Sequence, residues 1–191
     1  MTTPYSKLEQ FVCRRIPEQL YRHCVATAQT ALDLAKYHGI DPRKARDAGL
    51  LHDIARSLDD ATLLKEATRL DILVSEVEET VPVLLHAKVG AKIAERELGI
   101  SDPETIEAIA VHTTGSCGMG LVARVVFVTD YAEPTRDLAG ADEVRALLPG
   151  RLDEAVLSVL RHKIQYVLES GAPVDPHSVE LWNELVQKPL A

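Results

Sequence analysis

The sequence predicts an all-α protein built as one domain, and three observations carry that expectation. Alanine and leucine are plentiful while aromatic residues make up only 4% of the chain. That mix favours helices, since Ala and Leu lose little freedom there whereas sheets prefer aromatic and β-branched residues. Apolar residues recur at spacings of three and four, the period of a helix face. Finally, Pro, Gly and capping residues cut the chain into helix-sized pieces.

Taken in order, a short N-terminal helix precedes a core spanning about residues 17–170, with a helical extension after it. Pro17 suits the first turn of a helix that Gly39 closes. Asp41-Pro42 reads as an N-cap and first turn, opening a helix through Arg56. Asp59 caps a helix carrying Leu63 and Leu64, and Ser75 with Glu78 has capping-box spacing before Pro82. A helical pattern then runs over residues 83–98 and stops at Gly99. Ser101, Pro103 and Glu104 mark another start, with the end near the Thr113-Thr114-Gly115 turn.

Residues 121–133 are ambiguous, because Val125-Val126-Phe127-Val128 also suits a buried strand. The four-residue recurrence of Val122, Val126 and Asp130, with no other convincing strand to pair, decides for a helix ended by Pro134. Two more helices are expected over residues 152–170 and 176–187.

A length of 191 residues suits one compact domain with a substantial core. The hydrophobic share of 46% and charged share of 26% are ordinary for a globular chain. The formal net charge of -8 and the lack of a Lys/Arg run exclude DNA or RNA as the main ligand. A small phosphorylated ligand remains compatible, since a metal ion and a few cations neutralise it locally. Cys13, Cys24 and Cys117 are odd in number and lack C-x-x-C spacing, which reads as reduced thiols. The absence of a signal-peptide core and of any membrane-length apolar run points to the cytoplasm.

The chemistry concentrates on His and Asp residues set in apolar helical segments. His52 and Asp53 adjoin within AGLLHDIAR, beside a small-residue face of Ala45, Ala48 and Gly49. His23 lies among Leu20, Val25 and Ala28; His86 opens HAKVGAKIAE; His112 precedes the Thr113-Thr114-Gly115 turn; Asp130 continues the Val122–Val126 stripe. Four of the seven histidines therefore occupy apolar surroundings, whereas His38, His162 and His177 read as surface or cap positions. One buried histidine is routine, but several are better explained by a shared cation. Imidazole with carboxylate suits a first-row transition metal such as iron, manganese or zinc.

The ordered set His23, His52-Asp53, Asp130 resembles the HD-domain metal-dependent phosphohydrolases. HAKVGAKIAERELGI, VHTTGSCGM and VFVTDYAEPTRD are similar to the YqeK branch, described as symmetrical bis(5'-nucleosyl)-tetraphosphatases that split diadenosine tetraphosphate into two ADP. The likeness runs from about residue 23 to residue 160. It implies an HD-type helical bundle around a metal site that prefers iron, with one or two ions.

Carried over by position, the resemblance makes His23, His52, Asp53 and Asp130 the metal ligands. His86, His112, Thr113, Thr114, Gly115, Tyr131 and Arg136 would line the nucleotide and phosphate pocket; apart from the resemblance, Lys88 is read as a further positive charge for the polyphosphate. Asp53 would ligate the metal and orient or deprotonate the attacking water. His86 and His112 would either contact phosphate, one protonating the leaving group, or ligate a second ion. The chain departs from the branch at Leu20, Lys88, Ser116 and Thr129, positions on the pocket rim. A different HD nucleotidase and a weakly active nucleotide-binding sensor are the alternative readings, and a homodimer stays open.

Overall fold

The computed structural model describes residues 4–187, which form eleven α-helices and no strand. The first, α1 (Pro4–Arg15), lies against α2 (Glu18–Tyr37) and α3 (Pro42–Leu51). Among the described residues α2 and α3 share the most extensive helix–helix contact, and small residues line it. Ala28, Ala31, Ala45 and Ala48 are fully buried along the seam. A Cβ on Gly49 would lie 3.0 Å from the Cα of Ala28.

Local signals set most helix boundaries. Asp41 accepts from the backbone N–H of Arg43 with Pro42 in the first turn, and Asp59 accepts from Thr62 to open α4 (Asp60–Arg69). Ser75 and Glu78 form a reciprocal capping box at α5 (Glu76–Thr80). Pro82–Leu84 makes a 3₁₀ turn, so the helix expected from residue 83 starts two residues later as α6 (Leu85–Leu98), closed by Gly99 in the left-handed region at φ 68°. The cap of α7 (Pro103–Val111) is Asp102, whose side chain accepts from Thr105; Ser101, the expected starter, lies one residue outside.

Helix α8 (Leu121–Ala132) runs through the centre, contacted by α2, α3 and α7, by α9 (Ala141–Leu147) and by α10 (Leu152–Ser170). Its buried residues continue from Val125 through Ala132. Burial on all sides explains the strand-like run of apolar residues, since a helix enclosed by other helices has no polar face to show. The last helix, α11 (Pro176–Gln187), packs on α10.

Two expectations need correction. The helix after Asp41 ends at Leu51, short of Arg56, and residues 52–57 form tight turns with bonds from Ile54 N–H to Leu51 O and from Arg56 N–H to Asp53 O. Helix α9 was not anticipated, because only Ala141 and Val144 of its seven residues are buried and no apolar stripe announces it. No helix among the described residues is long and apolar enough to cross a membrane.

Candidate metal centre

The helices bring the polar residues of five separate segments to one interior point. His23 comes from the first half of α2, His52 caps α3 and Asp53 follows it, His86 starts α6, His112 caps α7, and Asp130 lies near the end of α8. All six are buried, with exposures between 0% for His52 and 9% for Asp130. An interior that gathers four imidazoles and two carboxylates needs a compensating charge.

Their facing atoms are closely spaced. His23 Nε2 lies 3.2 Å from His52 Nε2 and 3.1 Å from Asp130 Oδ1. His52 Nε2 is 3.5 Å from both Asp130 Oδ1 and Asp53 Oδ2, and His23 Nε2 is 4.0 Å from Asp53 Oδ2. The other oxygen of Asp53 faces the second pair: Oδ1 lies 3.1 Å from His86 Nε2 and 3.5 Å from His112 Nε2, themselves 3.0 Å apart. Donors ~2.0–2.2 Å from a common ion stand roughly 3–3.5 Å from one another, so the spacing fits a transition metal. Two overlapping triads meet the geometry of a cation site, His23/His52/Asp130 and His52/Asp53/His112.

The far side of each ring strengthens the assignment. Nδ1 of His52 bonds the carbonyl of Gly49 at 2.7 Å, and Nδ1 of His112 bonds that of Ile109 at 2.8 Å. His86 Nδ1 contacts the Val83 carbonyl, and His23 Nδ1 contacts Glu133 Oε1 at 3.1 Å. Carbonyls and a carboxylate only accept, so each Nδ1 carries a proton and each Nε2 is the inward nitrogen, able to ligate a cation once unprotonated. Four inward nitrogens facing one another and two carboxylates need positive charge between them, from protons on the rings or from a bound cation. An outer acceptor on the remote nitrogen is also the usual arrangement for metal-bound imidazole. The donor set therefore fits a divalent transition metal.

Electrostatics point the same way. Burial disfavours the imidazolium of His52, yet Asp53 and Asp130 outweigh it and lift the pKa to about 10. Burial likewise opposes charge on Asp53 and Asp130, but the surrounding histidines hold both carboxyls well below the usual range. For His112 burial prevails, despite its bond to Asp53, and drives the pKa down to about 4. The pocket attracts positive charge and keeps its carboxylates ionised.

Around this centre lie residues that the sequence reading missed. Glu133, fully buried, accepts from His23 and from both the N–H and hydroxyl of Thr135. Its position three residues after Asp130 places it on the same helix face, a signal that was available. Lys163 donates to the carbonyls of His112 and Thr113 at 3.0 and 3.1 Å and stands 3.8 Å from Asp130 Oδ2. Arg56, from the turns after Asp53, lines two cavities that border the centre, one through Asp130 and the other through His23 and Asp53. His162, read as a surface position, instead stacks on Tyr131 with centroids 6.0 Å apart and planes at 15°.

The expected pocket residues are distributed unevenly. Arg136 points into the centre, its guanidinium 3.0 Å from both Asp130 Oδ1 and His23 Nε2, while Arg145 takes Asp142. Thr113 Oγ1 stands 3.3 Å from His112 Nε2 and 3.5 Å from His86 Nε2. Thr114 bonds Gly115 and accepts from Ser178, facing α11. Gly115 has φ 69°, and a Cβ there would collide with Leu181. Tyr131 donates to the carbonyl of Ala139 at 2.5 Å. Lys88 pairs with Glu78 at 2.7 Å.

The comparisons with known proteins agree with this geometry. The HD domain model matches residues 20–135. The symmetrical bis(5'-nucleosyl)-tetraphosphatase of Halalkalibacterium halodurans is 35% identical over 184 residues, covering 94% of this chain and 96% of that protein. Its Bacillus subtilis counterpart of the same description is 33% identical, covering 92% and 94%. A solved structure from Clostridium acetobutylicum, described as a predicted HD superfamily hydrolase involved in NAD metabolism, superposes with a TM-score of 0.93. It is 30% identical and covers 99% of this chain and 100% of that one. With the His-Asp pair of residues 52 and 53 at the centre and the family model matched across more than half its length, the chain belongs to the HD domain family.

Proposed function

We infer that this protein is a metal-dependent hydrolase that splits diadenosine tetraphosphate symmetrically into two molecules of ADP. The observation that carries the reading is the convergence of four inward Nε2 atoms on Asp53 and Asp130, walled by the cations Arg56, Arg136 and Lys163. The tetraphosphatases, similar along more than nine-tenths of the chain, supply the substrate.

His23, His52, Asp53 and Asp130 would hold the metal, and we assign iron on the sequence resemblance. The imidazole–carboxylate set is one that first-row metals favour. A bound divalent ion supplies Lewis acidity, neutralising phosphoryl charge and making water a better nucleophile. Asp53, held ionised, orients that water through the oxygen that faces His86 and His112. His86 Nε2 takes the proton released on attack and returns it to the departing phosphate oxygen. Arg136 offers a forked pair of donors to the polyphosphate, and Thr113, beside both histidines, positions it. Lys88, held by Glu78, acts from the rim.

A second assignment rests on the His52/Asp53/His112 triad for His112, and for His86 on its distance of 3.1 Å from Asp53 Oδ1. Were two ions bound, His86 and His112 would be among the residues holding them, together with Asp53; with one ion they would be left to the phosphate. Product analysis tests the function. Metal-loaded protein is expected to release ADP alone from diadenosine tetraphosphate, and Asp53→Ala to lose at least ~10²-fold of that rate. Release of ATP with AMP, or full activity in Asp53→Ala, would overturn the reading.

A further inference from the structure

Two cavities adjoin the metal centre and share Arg56 and Arg136 in their walls, and neither is explained by holding the ion. One, of about 520 Å³, reaches the centre through Asp130 and continues past Tyr131, Ala139, His162 and Tyr166. The other, of about 540 Å³, reaches it through His23 and Asp53 and continues past Pro17, Leu20 and Ser57. Arg56 and Arg136 line both. The metal donors and two guanidiniums therefore form the boundary between two spaces of nearly equal size.

We propose that the two cavities are paired nucleoside subsites, each taking one half of a dinucleoside polyphosphate, with the phosphate chain crossing the boundary under Arg56 and Arg136. This rests on the hydrolase reading above, which it extends from reaction to substrate placement. Each volume falls within the ~300–1,000 Å³ of ordinary small-molecule sites. Lys163 on one side adds a third cation near the boundary. The outer parts suit a base and sugar. The first offers the stacked Tyr131–His162 rings and the exposed ring of Tyr166, 72% accessible. The second offers Leu20 and Pro17 for packing, with Ser57 and Gln19 for hydrogen bonds.

Symmetry of cleavage follows from the placement. When each half of the molecule fills its own cavity, the middle P–O–P linkage lies over the donors. Water adds its hydroxyl to one central phosphorus, the bond from that phosphorus to the bridging oxygen breaks, and that oxygen receives the proton. Two nucleoside diphosphates result, one in each cavity. A substrate folded into a single cavity would put an end of its phosphate chain at the centre and give unequal products.

The test uses metal-loaded full-length protein and ADP as the probe in isothermal titration calorimetry. Two ADP per chain are expected, and one per chain would overturn the proposal. Ala139 and Ser57 are exposed, each on the wall of one cavity, so Ala139→Trp and Ser57→Trp fill one space apiece. Each is expected to bind one ADP, keep its metal, and raise KM for diadenosine tetraphosphate by roughly tenfold or more. A KM moved by only one of the two substitutions would also overturn it. Two bound ADP without any hydrolysis would sink the hydrolase reading while leaving the subsites standing.

Discussion

At the level of single residues, the strongest constraint is where each imidazole puts its proton. His52 and His112 each bond the carbonyl three residues earlier, and His86 does the same at the start of its helix. His23 uses Glu133 instead, the one carboxylate in the outer ring. Removing it frees the ring to rotate and to change tautomer. Glu133→Ala should therefore lower metal affinity by ~10–100-fold, measured by titration against a competing chelator. Unchanged affinity would make Glu133 a packing residue only. The six converging His and Asp residues were legible in the sequence because histidine and aspartate stand out in apolar stripes. Glu133, Lys163 and Arg56 were not, since a lone Glu or Lys at a helix end or on a mixed face reads as solvated until its neighbours are placed.

Helix ends decide the site's shape. The Gly49 carbonyl, which a continuing α3 would give to the N–H of Asp53, instead takes the Nδ1 proton of His52. That exchange accompanies the end of α3 and the tight turns carrying Asp53 and Arg56. Apolar periodicity alone extended this helix to Arg56, because a side chain competing for a backbone acceptor leaves no trace in the pattern. Caps such as Asp41, Ser75–Glu78 and Gly99 were legible because their chemistry is local. The same Gly49 sits against the backbone of Ala28, where a methyl group would press α2, bearing His23, away from α3. Gly49→Ala should destabilise the fold by ~1–3 kcal/mol, a fall of roughly 2–12 °C in Tm for a chain of this size. Thermal unfolding of the metal-loaded protein checks it, and an unchanged Tm would show that the helices yield without cost.

Over the whole molecule, an acidic protein of net charge -8 keeps its cations where a polyphosphate would need them. Arg56, Arg136 and Lys163 gather beside the buried donors, so repulsion of an anionic ligand by the overall charge is offset locally. The all-helical architecture was legible from composition and periodicity; the two cavities were not, because they depend on how distant helices pack. The proposed ligands come from three segments, α2, the end of α3 and α8, so one ion would join them, and binding to the folded form alone stabilises it by mass action. Chelation should accordingly lower Tm, by roughly 8–16 °C if the free ion had stood ~1,000-fold above its Kd. No shift on chelation would mean that the ion contributes nothing to the fold.

The most direct measurement is the transition-metal content of anaerobically purified protein, wild type beside His52→Ala. The wild type should carry at least one ion per chain and His52→Ala should lose it together with hydrolysis. Wild-type protein that is metal-free and still active, or His52→Ala that retains its full metal complement, would contradict the assignment.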